Sequence, residues 1–212
     1  MLVIFAALAA CGRSSKATPK LEEAMTDQHS GTAAPPPKAA PPTAPAVDRE
    51  IAVTETSASA QVRVKVPAAW IADPVSVVLR DEFQEAIAGV QFTVICNAGC
   101  GDDELARAPR IVDQMFETRA RPNVNTGDPA MDAVRLKVDT VEQGALADGA
   151  FRVARVTKPA GLQGPYREQL YAACVRVKKG AKSVAAQAWA PLDREGDLGP
   201  LIVAACKTFE IL

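Results

Sequence analysis

The chain has 212 residues, 48% apolar and 23% charged, enough for one domain with a sizeable core plus an extension. The formal net charge is -1, with no basic stripe for nucleic acid, and aromatic residues at 5% are too sparse for a base-stacking platform. The single histidine, His29, lies in a stretch that reads as linker, so the domain has no Ser-His pair, Cys-His pair or His-ligated metal.

Leu2 to Ala10 is an unbroken run of apolar and small residues. It is far shorter than the roughly 20 residues a membrane-spanning helix needs, and it fits the h-region of a signal peptide. It ends in Leu8-Ala9-Ala10-Cys11, followed by Gly12. These residues at this place resemble the lipobox of bacterial lipoproteins. The resemblance implies cleavage before Cys11, acylation of that cysteine with diacylglycerol and palmitate, and a membrane anchor. Gly12 is not the aspartate that holds such proteins in an inner membrane, so the resemblance implies an outer-membrane address, facing the periplasm or the cell surface. No Lys or Arg separates Met1 from the apolar run, so a translation start upstream of Met1 is expected. Ordinary secretory cleavage after Ala7-Leu8-Ala9, or an apolar strand or helix with a chance cysteine, are the other readings.

From Gly12 to about Asp48 the chain reads as a disordered spacer. Seven of the sixteen prolines lie here, with Ala, Ser and Thr between them and no apolar period. Pro35 to Pro45 favours polyproline II, about 34 Å long at 3.1 Å per residue. A docking site for a proline-reading partner is the alternative to passive slack.

The domain is expected from Glu50. Val62, Val64 and Val66 alternate with Gln61, Arg63 and Lys65, the pattern of a half-buried strand ending at Pro67. Val75–Phe83 and Gly89–Cys96 read as two further strands. Leu105, Ala108, Val112, Met115 and Phe116 fall at helical spacing. Pro109 belongs in a first turn, so the spacing predicts a helix from Ala108 to Arg119. Four strands then follow in a row, over 134–142, 149–158, 167–178 and 182–190, with Gly144 and Asp148-Gly149 marking the first turn, Pro159 to Pro165 the second and Lys179-Gly180 the third. Short links favour an antiparallel meander. Leu198, Leu201, Ile202, Ala205, Cys206 and Phe209 make the apolar stripe of a last helix, with Pro200 near its start.

This order is α+β: an antiparallel sheet of six to seven strands packed with two helices. The organisation is a signal peptide over 1–10, a lipidated Pro/Ala-rich linker over 11–49 and one domain over 50–212. With Pro67-Ala68-Ala69-Trp70 before the early strands, the helix at 108–119, the meander and the closing helix, the layout resembles a PsbP-like domain. The resemblance implies a fold that serves accessory and binding proteins, and implies no particular partner. A lipocalin-like or other sheet-plus-helix domain is the alternative.

Besides Cys11, four cysteines remain: Cys96, Cys100, Cys174 and Cys206. An even number in an exported domain reads as two disulfides. Cys96 and Cys100 can close a small loop around Gly99, and Cys206 on the apolar stripe can meet Cys174 in its strand. Other pairings, free thiols and a four-cysteine zinc site are the competing readings.

No residue set carries a catalytic signature. Asn97, Asp102, Asp103 and Glu104 gather oxygens for a calcium ion, or simply form a solvated turn with acids at a helix start. Arg119, Arg121, Arg152, Arg155 and Arg167 form an anion pocket only if the fold collects them. Ser183 and Tyr166 lack a neighbouring base, and Gly161–Gly164 is too short for a phosphate loop. Trp70 and Trp189 read as core. The sequence therefore points to a non-catalytic envelope lipoprotein without cofactor or resident metal, held at the membrane by its lipid and binding another envelope protein. A small-ligand or cation-binding lipoprotein is the alternative, and an enzyme relying on carboxylates alone is a third reading.

Overall fold

Alternating valines pair two strands at the start of the domain. Val62, Val64 and Val66 of β2 (Ser59–Pro67) and Ile51 and Val53 of β1 (Ala46–Thr54) are buried, while their neighbours face outward. The computed structural model describes residues 45–54, 58–121, 134–159 and 168–212. The expected signal peptide, Cys11 and the proline-rich stretch as far as Ala44 lie outside them. Pairing begins at Ala46, four residues before the expected boundary at Glu50. Asp48, Arg49 and Glu50 disguised this strand by their polarity.

Next come β3 (Ile71–Asp73), β4 (Ser76–Arg80) and β5 (Ala86–Cys96), then α1 (Asp102–Ala120). The meander is β6 (Lys137–Leu146), β7 (Gly149–Thr157), β8 (Gln169–Lys178) and β9 (Lys182–Pro191). A 3-10 turn (Leu192–Arg194), α2 (Glu195–Thr208) and the short β10 (Glu210–Ile211) close the chain. Seven strands form one antiparallel sheet in the order β3-β4-β5-β9-β8-β7-β6, and β1-β2-β10 form a second sheet. The fold is α+β with two helices.

The large sheet is buried on both faces at its centre. Alternation along β8 and β9 sends Ala172, Cys174, Ala186 and Ala188 to one side and Tyr171, Ala173, Val175 and Ala185 to the other. So many alanines keep both faces flat, and a helix can pack closely on each. One core lies beneath α2 and the small sheet, around Phe92, Ile202 and Phe209. The other lies beneath α1, around Val112, Phe116 and Tyr171.

Three local expectations are corrected. First, α1 starts at Asp102 and carries Pro109 as its eighth residue, rather than starting at Ala108. Proline removes one helical hydrogen bond, but Pro109 stands on the exposed side. The start is secured by three acids in the first turn and by the Gly101 N–H, which donates to Glu104 Oε2 at 2.7 Å. Second, Gly144 lies inside β6 and not in a turn: a Cβ there would sit 3.2 Å from the Phe151 ring. Third, the strand expected over Val75–Phe83 ends at Arg80. Phe83 sits on the following turn, 78% exposed.

Candidate functional site

Each cysteine pair is joined. Cys96 and Cys100 bond across a Cα–Cα distance of 6.1 Å, and Cys174 and Cys206 across 5.7 Å. The second bond is buried and fastens α2 to β8, because Cys174 and Cys206 both point into the core under that helix.

The acidic group after Cys96 does not converge. The Asn97 carboxamide accepts the Ser59 N–H at 3.2 Å, Glu104 caps Gly101, and Asp102 pairs with Lys179 at 2.5 Å. The arginines also separate. Arg152 and Arg155 differ by three positions in β7 and so emerge on opposite faces. Arg152 meets Asp113 of α1 at 3.1 Å, and Arg155 meets Glu195 of α2 at 2.7 Å. Arg167, Tyr166 and Gly161–Gly164 lie outside the described residues. Ser183 is buried, with no hydrogen-bond partner for its hydroxyl and no base beside it. Trp70 is core, 2% exposed.

Trp189 packs against the core beneath α1 but stays half-buried, and it marks the most informative surface. Because α1 packs mainly on β7 and β8, the same face of β9, β5, β4 and β3 has no helix over it among the described residues. Cross-strand register places Tyr171, Trp189, Gly89, Val78 and Ile71 in one row across that face. Glycine is required at 89 because a Cβ there would lie 2.9 Å from Val78 and 3.1 Å from the indole of Trp189. The indole thus rests on bare backbone as a half-buried shelf. Ile71, at the far end of the row, is 49% exposed.

A polar cluster adjoins the shelf where α1 ends. The Tyr171 hydroxyl donates to Gln187 Oε1 at 2.9 Å, and Arg119 donates to Gln169 Oε1 at 2.6 Å. The Arg119 guanidinium also lies 5.4 Å from the Tyr171 ring centroid. Gln169 is 5% exposed and Tyr171 2% exposed, so both are held rigidly. Burial pushes the Tyr171 hydroxyl far above its ordinary value and keeps it a neutral donor. Arg119 as a residue is exposed, yet desolvation of its guanidinium draws it below the usual arginine range. Sequence reading had named Arg119 only as one of five scattered arginines, and had missed Gln169, Tyr171 and Gln187. Their parity along β8 and β9 was the available signal.

On the opposite face, α2 and β6 to β8 flank a shallow, open depression of about 490 Å³, lined by Val141, Val153, Leu170, Pro200 and Val203 with Glu142 and Glu195 beside them. Those two carboxylates are occupied by Lys207 and Arg155. No group of three or more metal-ligating side chains converges among the described residues, and no helix among them is long and apolar enough to cross a membrane.

No protein-family model and no curated protein matches the chain. Among solved structures it is similar to the solution structure of cyanobacterial PsbP (CyanoP) from Synechocystis sp. PCC 6803, with 16% identity and a TM-score of 0.46, over 84% of this chain and 100% of that one.

Proposed function

We propose that this chain is a lipid-anchored extracytoplasmic binding protein. Cys11 carries the acyl groups, the proline-rich tail acts as a tether, and the disulfide-stapled domain is a non-catalytic module that engages another envelope component. The buried Cys174–Cys206 bond carries the reading. A disulfide that joins the last helix to the central sheet belongs in an oxidising compartment, which is where a lipobox at Leu8–Cys11 sends a protein. Several acyl chains anchor stably, at about 0.8 kcal/mol per buried methylene.

The test is expression from the native gene with a clickable palmitate analogue. The expected result is a labelled protein in the membrane fraction and loss of label in Cys11→Ser. An unlabelled, soluble wild-type protein would overturn the anchor. Crosslinking from the domain in intact cells is expected to yield one defined adduct, and the absence of any adduct counts against a docking role. Recognition of a small ligand is the second reading, favoured by the Arg119 and Trp189 surface.

A further inference from the structure

The guanidinium of Arg119 has no carboxylate partner among the described residues. Its contacts with the described residues include one neutral acceptor, Gln169 Oε1 at 2.6 Å, and the face of Tyr171. Three half-buried arginines are paired, Arg152 with Asp113, Arg176 with Asp148 and Arg80 with Asp73, and the half-buried Arg49 donates to the carbonyls of Ala68 and Trp70; Arg119 differs in being exposed to an incoming ligand. An exposed guanidinium without a counter-charge is open to an anion from solution. Arginine offers five N–H donors in a planar fork suited to two oxygens at once, and the Gln169 contact takes up only part of that fork. The cation is held in place by Gln169, whose carboxamide is buried, and by an aromatic ring that is itself fixed by Gln187. Trp189, the cross-strand neighbour of Tyr171, extends this surface with an apolar shelf over Gly89.

We infer that Arg119, oriented by Gln169 and Tyr171, forms a binding site for an oxyanion, with Trp189 as the platform for the apolar or planar body that carries it. The ligand class is an organic carboxylate or phosphate, either free or as a lipid headgroup. The fork takes two oxygens of the anion, and the indole shelf selects organic anions over inorganic ones. This deepens the binding reading above and is independent of the Cys11 anchor, since palmitate labelling can fail without affecting it.

Isothermal titration of the full chain with sodium phosphate, phenyl phosphate, acetate and benzoate tests the site. Flotation with phosphatidylcholine vesicles, with and without phosphatidylglycerol, tests the lipid source. At least one oxyanion probe or the phosphatidylglycerol vesicles should bind. Arg119→Gln should weaken that binding by about tenfold or more, the scale of a lost charge-assisted contact. Arg119→Lys, which keeps the charge without the fork, should fall between the two. Thermal midpoints within about 3 °C of wild type would show that both variants fold. Trp189→Ala should weaken the phenyl-bearing probe more than its inorganic counterpart, and equal losses would overturn the platform. No binding to any probe, or wild-type affinity in Arg119→Gln, would overturn the site.

Discussion

Arg176 of β8 donates to the backbone carbonyl of Phe209 at 2.5 Å and lies over the same residue's ring, 5.8 Å from its centroid. Its Nε meets both oxygens of Asp148 at 2.9 Å. One side chain thus ties the β6–β7 turn to the end of α2, where Phe209 packs edge-on against Phe92 at 5.4 Å. Arg176→Met should cost about 2–3 kcal/mol, since it removes a charge-assisted contact and leaves a carbonyl unsatisfied. Asp148→Asn should cost less, because Asp148 is more exposed than Arg176. Urea unfolding of the two variants decides; equal or negligible losses would mean that Arg176 does not hold the C-terminus.

The two disulfides should differ in lability. Cys174 and Cys206 are fully buried, whereas Cys96 is half-buried and closes a short loop. Mild reduction followed by alkylation and mass spectrometry should label Cys96 and Cys100 first. Removing Cys174–Cys206 by paired Cys→Ala substitution should cost about 2–4 kcal/mol, more than removing the shorter link. Simultaneous labelling of all four cysteines would contradict the difference in burial.

Glu104 gives α1 an acid-sensitive start. The backbone hydrogen bond from Gly101 holds its carboxyl below the ordinary glutamate value. A carboxyl with a depressed folded pKa contributes stability above its unfolded pKa, and that contribution disappears as pH falls through the folded value. In Glu104→Gln, the loss of stability on acidification should be shallower than in wild type. Thermal midpoints from pH 7 to pH 2 measure this, and parallel curves would remove Glu104 from the cause.

Gly149 should tolerate no side chain. A Cβ at this position would collide with the carbonyl of Val175 on the neighbouring strand. That obstacle is backbone in the middle of the sheet, so Gly149→Ala should cost about 3 kcal/mol, at the upper end for overpacking. Gly196→Ala, where a Cβ would meet nothing within 4 Å, is the matched control. Chemical denaturation of both should separate them clearly.

Periodicity made much of this protein legible. The valines of β2, the meander from β6 to β9 and the apolar stripe of α2 are each written in residues a few positions apart, because burial on one face imposes a local repeat. The same logic put Cys206 against the sheet and so suggested its bond to Cys174. Where a local rule met a competing interaction, the reading slipped. Pro109 was expected in a first turn, but the acids at 102–104 start the helix earlier. Gly144 was read as a turn, but it makes room for Phe151. The charges of β1 hid a strand that exists by pairing with β2.

The sequence by itself determined the class of this protein: antiparallel strands with two helices, four cysteines in a domain, a proline-rich stretch ahead of it and a lipobox-like run at Cys11. Only the tertiary structure decided which groups act together. Arg119 lies 50 residues before Gln169, and Trp189 lies 100 residues after Gly89; no local pattern joins such pairs. They meet because strand register and the reach of α1 leave half of one sheet face without a helix among the described residues, with an arginine at its border that has no acid partner among them.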